Sequence, residues 1–387
     1  MITQIRIDGF KSFVGFELDV RPVTVLLGVN GAGKSNLFDA LRLVAGVVRK
    51  GLKETLADDQ RLAARNLFHR SGAAAGQQRD ELTIVVGMDV PMAEQPVSVE
   101  LRLRLLRDSG HGAVLDRNGS WVQVSAAEGK AGYRIALAAV RRLGSDYLDG
   151  VSDSSPESEI AAKVYAECVG WQPYVLDPEE LRQYGSPNAD GPLEPSGSNI
   201  AVVIRRIEET APDRLIRLVA DLAALVPGAR GIRSTVMLPR GEFDFEVEFQ
   251  HTGWASPALL SDGTLRVLAL LAAYWDPKRT STLAVEEIEN GMHLSQVVRL
   301  VRRLGRGEGQ LLITTHSPAV LTAMRNDLSG SVVFMEQVSH VDPERGTISR
   351  ITVPLPLLAP TPDSAPGTFK SPQAVERLLN SLGQGTT

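Results

Sequence analysis

Eight residues near the N-terminus, Gly28-Val29-Asn30-Gly31-Ala32-Gly33-Lys34-Ser35, fit the order G-x-x-x-x-G-K-[ST]. Glycines at these positions let the backbone curl, so that several N–H groups face one anion. Lys34 is placed to reach the outer phosphates of a nucleotide, and Ser35 offers its hydroxyl to Mg²⁺. A helix that starts here directs its positive dipole end at the same phosphates. The expected phosphate cradle therefore runs from Gly28 through Val29, Asn30, Gly31, Ala32, Gly33, Lys34 and Ser35 to Asn36. The competing reading is a glycine-rich strand-to-helix turn with no ligand.

Three further segments could complete such a site. Leu283-Ala284-Val285-Glu286-Glu287 is a short apolar run ending in two carboxylates. The first, Glu286, can hold Mg²⁺ through water; the second, Glu287, can orient and polarise an attacking water. Adjacent acids are costly to bury without a cation, although a solvated acidic loop would read the same way, since Glu289 follows. Leu311-Leu312-Ile313-Thr314-Thr315-His316 is a second apolar run, ending in an imidazole that could hydrogen-bond a terminal phosphate or serve only the fold. Leu260-Ser261-Asp262-Gly263-Thr264 opens an apolar helix. Ser261 suits an N-cap, and its hydroxyl with the Gly263 N–H could also form an anion site.

These residues need elements to hold them. Ile2–Asp8 alternates like a strand, residues 15–20 suggest a second, and Val23–Leu27 is a continuous β-branched and leucine run suited to a strand buried on both faces. Leu37, Leu41 and Val44 recur at helical spacing behind the glycine loop, and Lys50-Gly51 marks that helix's end. Residues 81–125 alternate like antiparallel strands, with a turn signal at Asn118-Gly119. Helices are expected over 157–168 and over 200–225 with a break at Pro212; loops are expected at 145–158 and 185–198. Strands are expected at 232–238 and 243–250. Strand and helix then alternate from Thr264 to Met335, including a helix from Pro318, which argues a mostly parallel sheet flanked by helices. The tail from Pro354 reads as a loose linker, with a short helix at 371–382. The expected division is 1–90 and 231–350 for the two parts of an α/β nucleotide-binding fold, 91–230 for an inserted antiparallel β and helical region, and 351–387 for a proline-rich tail.

Composition removes several classes. Hydrophobic residues make up 43% and charged residues 22% of the 387, which excludes wholesale disorder. One cysteine, Cys168, excludes an internal disulfide framework and a cysteine-rich zinc site. The longest wholly apolar stretch, Val267–Trp275, is far shorter than the roughly 20 residues a membrane helix needs. A soluble, cytoplasmic protein with no membrane partner is the expectation. A net charge of −5 supplies no global attraction to nucleic acid. Local arginines (Arg299, Arg302, Arg303 and Arg306; Arg102, Arg104 and Arg107) could contact DNA phosphates or simply be solvated faces.

Taken in order, these segments resemble the ABC-type ATPase heads of the RecF/SMC/OLD group. Leu260–Thr264 looks like the signature in its S-D-G-T form, and Glu286–His293 is similar to the D/E-E-P-E-N-G-L-H segment of bacterial members. Gly9-Phe10-Lys11-Ser12-Phe13 resembles their N-terminal strand end, and Gly197–Ala201 a G-x-N-L-A element. Glu286 in place of the commoner aspartate, Ile288 in place of proline, and Leu294 where a proline often follows are departures. The resemblance implies a P-loop NTPase fold, with ATP and Mg²⁺ as cofactors. It also implies catalytic roles for Lys34, Glu287 and His316, metal contacts from Ser35 and Glu286, and nucleotide contacts from Ser261 and Gly263. In such heads two copies sandwich two ATP molecules, so a homodimer is implied, with Asn290 to His293 along the seam. A separate nuclease or effector subunit and a DNA-linked role in phage defence or repair are also implied. The chain after His316 has no D-x-D pair for a nuclease centre in cis and the sequence has no long heptad run. The alternative is the nucleotide-binding subunit of a transporter. No local pattern selects a glutamine-loop residue, although Gln77 and Gln78 lie in a plausible region.

Overall fold

Strict alternation of apolar and polar residues in the first half of the chain is satisfied by a seven-stranded antiparallel sheet. The structure, a computed structural model, describes residues 1–72, 78–93, 95–110, 112–125, 132–148, 155–307, 309–317, 320–321, 329–342, 346–357, 371, 373–375 and 377. The chain divides into two compact units: Met1–Gln172 with Asp327–Thr387, and Pro173–Asn326.

In the first unit, strand Ile2–Asp8 pairs on one side with Phe16–Asp19 and on the other with Glu81–Val90. Glu81–Val90 continues into an antiparallel pair with Val97–Arg107. The expected border at residue 90 therefore falls inside a strand pair. Leu82, Ile84, Val86 and Met88 bury one face, and Leu101, Leu103 and Leu105 join them from the neighbouring strand. The Asn118-Gly119 turn does not close a two-residue hairpin. Its flanking strands, Ala113–Leu115 and Trp121–Val124, both pair with Val97–Arg107, and the Asp116 carboxylate accepts the N–H groups of Asn118 and Gly119.

Strand Val23–Leu27 is buried at every position, as its unbroken apolar sequence requires. It runs parallel to the start of Val332–Asp342, which turns back antiparallel into Thr347–Pro356. This last strand corrects the expected tail: residues 347–356 are a sheet strand whose Thr352 is fully buried. Prolines 354 and 356 are tolerated because, among the described residues, the strand pairs over this stretch on one side only, with Val332–Asp342. Helix Lys34–Lys50 follows the glycine loop and ends at Gly51, whose φ of 93° closes the last turn on the carbonyls of Gly46 and Val47. It packs against helices Leu137–Leu148 and Pro156–Val169. Helix Leu137–Leu148 runs four residues into the expected loop at 145–158, and helix Pro156–Val169 begins inside it, capped by Ser155.

The second unit holds the parallel pair Thr282–Val285 and Gln310–Thr315. A three-stranded antiparallel sheet of Ala229–Met237, Glu242–Phe249 and Gly253–Ala255 lies in the same unit. Helix Asp262–Trp275 is apolar almost all round and is correspondingly buried, contacting helices Ile200–Thr210 and Pro212–Leu225. The break between those two helices falls at Ala211-Pro212, as the proline demands. The expected helix from Pro318 lies outside the described residues apart from Val320 and Leu321, and of the expected helix at 371–382 only Ser371, Gln373–Val375 and Arg377 are described. Among the described residues, no helix is long and apolar enough to cross a membrane.

Candidate functional site

The glycine loop is shaped by conformations that other residues resist. Gly31 and Gly33 lie at φ 80° and 98°, and a Cβ on Gly28 would stand 2.7 Å from the Met335 carbonyl oxygen. Gly33 is the N-cap of helix Lys34–Lys50 and gives it no side-chain cap, so its first N–H groups have no side-chain acceptor at the cap. The Lys34 side chain is buried, and its Nζ donates to the Gly28 and Val29 carbonyl oxygens at 2.6 and 3.0 Å. An ammonium held on the loop's own carbonyls fits a cradle for phosphate. Ser35 is half-buried at the second helical position.

A hydroxyl network braces this loop. Thr352 Oγ1 donates to the Ala32 carbonyl at 3.0 Å and lies 2.7 Å from Ser12 Oγ. Asn36 Nδ2 donates to the same Ser12 oxygen at 2.9 Å, so the Asn36 amide is turned to the brace. Lys11, adjacent in the Phe10–Phe13 motif, sits at φ 46° and pairs with the buried Asp39 of the following helix at 2.5 Å. Arg42 and Arg61 converge on the same carboxylate. Burial would raise the Asp39 carboxyl, but the Lys11 hydrogen bond and the three positive charges outweigh it and hold it below the usual carboxylate range.

In the second unit the parallel strands place the acids and the histidine at corresponding ends. Glu286 and Glu287 follow strand Thr282–Val285, and His316 follows Gln310–Thr315. Glu287 has a left-handed backbone, φ 49°, which is uncommon outside glycine and is the kind of strain that collects at working sites. Its N–H is held by Thr314 Oγ1 at 2.9 Å, and its carboxylate accepts from Asn290 Nδ2 at 2.8 Å. His316 Nδ1 lies 4.0 Å from Glu287 Oε1 and 3.0 Å from Glu289 Oε1. Glu286 is half-buried, and its N–H donates to the Tyr174 carbonyl oxygen.

The signature turn belongs to the same unit. Ser261 caps helix Asp262–Trp275, accepting from the Thr264 N–H at 3.3 Å and bonding Thr264 Oγ1 at 2.9 Å. Gly263 is required by packing: a Cβ there would stand 2.8 Å from the Gly291 carbonyl oxygen. The signature turn and the Glu287–Met292 segment are thus in direct contact. Arg182 holds the turn from outside through Asp262 Oδ1 at 2.7 Å and the Leu260 carbonyl at 3.1 Å.

Comparison with known proteins meets this geometry at both ends of the chain. A family model described as "AAA domain, putative AbiEii toxin, Type IV TA system" matches residues 175–322, and one described as "AAA domain" matches residues 4–86. A solved Smc head bound to the C-winged helix domain of ScpA superposes with a TM-score of 0.55 at 16% identity, over 92% of this chain and 98% of that one. The Smc head domain with a coiled coil and joint from Pyrococcus yayanosii gives 0.50 at 12% identity, over 99% of each chain. The structural maintenance of chromosomes protein 4 of Caenorhabditis elegans is 32% identical over 90 residues, which are 22% of this chain and 5% of that protein. The chain therefore has the fold of the Smc heads, and two separate stretches of it match models of AAA domains.

Four residues of this head escaped the motif reading. Thr352 braces the phosphate loop from 320 residues away and had no local signal. Thr314 was part of a quoted strand, but nothing marked its hydroxyl as the anchor of Glu287. Tyr174 forms a parallel bridge to Val285 at the edge of the acidic strand, in a segment too short to show periodicity. Arg266, five residues after Ser261, lies against Gly291, where burial pulls its guanidinium below its ordinary value despite the charges of Asp262 and Asp177. Gln78 donates to the Arg65 carbonyl, and Gln77 lies outside the described residues. Of the arginines that could have met DNA, Arg104, Arg107 and Arg303 are committed to carboxylates, Arg104 to Glu81 and Asp116, Arg107 to Asp80 and Arg303 to Asp221.

Proposed function

We propose that this head binds and hydrolyses ATP, and that hydrolysis gates association of two copies in a DNA-linked process. The observation that carries the reading is the buried Lys34 ammonium seated on the Gly28 and Val29 carbonyls, inside a loop whose Gly31 and Gly33 are left-handed. Such a loop at an uncapped helix N-terminus is a polyanion cradle. Lys34, the loop N–H groups and Asn30 would hold the phosphates, and Ser35 with Glu286 would hold Mg²⁺. Mg²⁺ keeps most of its water and needs few protein ligands.

Bound with Mg²⁺, ATP supplies the scissile anhydride. Glu287, oriented by Asn290 and by the Thr314 clamp on its N–H, accepts a proton from water. His316 contributes a ring nitrogen toward the terminal phosphate. Ser261 and Gly263 present a second anion-binding turn. Its capping hydroxyl already serves the helix, so the Gly263 N–H and the helix dipole are its contribution to a nucleotide. A separate effector subunit is in keeping with the solved Smc head that carries a ScpA domain, and a defence role with the family description naming AbiEii toxin.

Glu287→Gln should retain Mg²⁺-dependent ATP binding by calorimetry, lose about 10²–10⁴-fold in kcat, and accumulate as a dimer with ATP in light scattering. Lys34→Ala should abolish the binding heat. Wild-type turnover by Glu287→Gln, or unchanged binding by Lys34→Ala, would overturn the proposal.

A further inference from the structure

Glu289 is the third acid of the Glu286–Glu289 segment, and the proposed chemistry gives it no task. Its position does. One oxygen, Oε1, receives the His316 backbone N–H at 2.7 Å and lies 3.0 Å from His316 Nδ1. The other oxygen, Oε2, is buried and has no hydrogen-bond partner among the described residues. The Glu289 side chain is only 14% exposed, against 39% for Glu287 and 44% for His316. A carboxylate kept this dry with one oxygen unpaired is costly to fold around.

We propose that Glu289 is a positioning residue that sets the tautomer and ring plane of His316. The logic rests on donor and acceptor types. A carboxylate only accepts, so its 3.0 Å ion-pair contact favours the proton on Nδ1, where an N–H dipole and not a lone pair faces the negative charge. Neutral His316 is then the Nδ1–H form, with the lone pair on Nε2, and Nε2 has no protein partner among the described residues. The His316 backbone is hydrogen-bonded to the same oxygen that its ring faces, which biases χ1 and χ2 toward the rotamer that keeps Nδ1 beside the carboxylate. Glu287 is not the partner: it stands 1 Å farther from Nδ1, and its Oε2 is taken by Asn290. The two acids therefore divide the work. Asn290 orients Glu287, and Glu289 orients His316. Glu289 is itself held in the turn, where its carbonyl accepts the Met292 N–H. A histidine held this way is the common solution wherever one ring nitrogen must be kept for a ligand.

The consequence for rate rests on the proposed ATPase activity; the tautomer does not. The first measurement is therefore ¹⁵N NMR of histidine-labelled, nucleotide-free protein, with the His316 signals assigned by their loss in His316→Gln. In the wild type, the neutral ring should carry its proton on Nδ1. Glu289→Gln, which keeps an acceptor oxygen, should preserve that form. Glu289→Leu and the shortened Glu289→Asp should shift the population toward Nε2–H. The second measurement is steady-state hydrolysis. Glu289→Leu should lower kcat about tenfold or more, with KM for ATP within about twofold. In a His316→Ala background the same change should have no further effect, because residues acting as a unit are not additive. An unchanged His316 tautomer in both Glu289→Leu and Glu289→Asp overturns the inference. So does an Glu289→Leu effect that multiplies with His316→Ala. If the wild type does not hydrolyse ATP at all, the activity reading fails and the NMR result alone decides the role of Glu289.

Discussion

Gly31 and Gly33 occupy similar left-handed backbone at φ 80° and 98°, yet their surroundings differ, and this separates backbone strain from packing. A Cβ on Gly31 meets nothing within 4 Å. Gly31→Ala should therefore cost only the left-handed penalty of an L-residue, about 1–2 kcal/mol. A Cβ on Gly33 would collide with Thr352 Oγ1 and stand 3.0 Å from both Thr352 Cγ2 and Ser12 Oγ. Thr352 is fully buried and bonded to Ala32 and Ser12, so it cannot swing aside without breaking those bonds. Overpacking adds about 1–3 kcal/mol, which brings Gly33→Ala to about 2–5 kcal/mol in sum. Thr352→Ala alone leaves the Ala32 carbonyl without its donor and should cost about 2 kcal/mol. Combined with Gly33→Ala it removes the collision, so the double variant should be more stable than the sum of the two by at least about 1 kcal/mol. Urea unfolding of the wild type and the four variants, followed by circular dichroism without nucleotide, measures each difference. Equal losses for Gly31→Ala and Gly33→Ala, or strict additivity of Gly33→Ala with Thr352→Ala, would refute the brace.

Two further expectations concern buried charge. Arg206 forms a two-pronged pair with Asp276 at 2.9 and 2.6 Å, with side chains 9% and 1% exposed. Arg206→Ala leaves the Asp276 carboxylate buried without its cation and should cost about 3–5 kcal/mol in urea unfolding; a loss under about 1 kcal/mol would mean that the pair is solvated. His69 is buried, with Nδ1 donating to the Lys11 carbonyl at 2.6 Å; burial, aided by the charge of Arg79, pulls its imidazole below its ordinary value. The unfolded chain therefore binds the proton first. The contribution is fully present above about pH 6.5 and is lost as the pH falls through the lower folded value. His69→Gln should flatten that acidic decline, measured as unfolding free energy against pH, and an unchanged slope would remove His69 as its source.

Much of this head was legible because its signals are local. Val23–Leu27 announced a strand buried on both faces, and the glycine loop, the helix after it and the cap at Ser261 each depend on residues a few positions apart. The acids and His316 were legible for the same reason, as polar residues at the ends of apolar runs. The long strand Thr347–Pro356 was missed because two prolines and flanking small polar residues imitate a linker. Its place is set by pairing with Val332–Asp342 and by the buried Thr352, which no window of sequence contains.

The sequence by itself determined which chemical groups are present and which local elements carry them, because glycine conformation, helix capping and apolar periodicity act over fewer than ten residues or so. Only the tertiary structure decided which group each one faces. The hydroxyl of Thr352 braces the loop at Ala32, Thr314 fixes the backbone of Glu287, and Glu289 takes His316 while Asn290 takes Glu287. Hydrogen bonds are directional and short-ranged, so neighbours along the chain, such as Glu287 and Glu289, acquire different partners from the way strands and turns bring distant segments together.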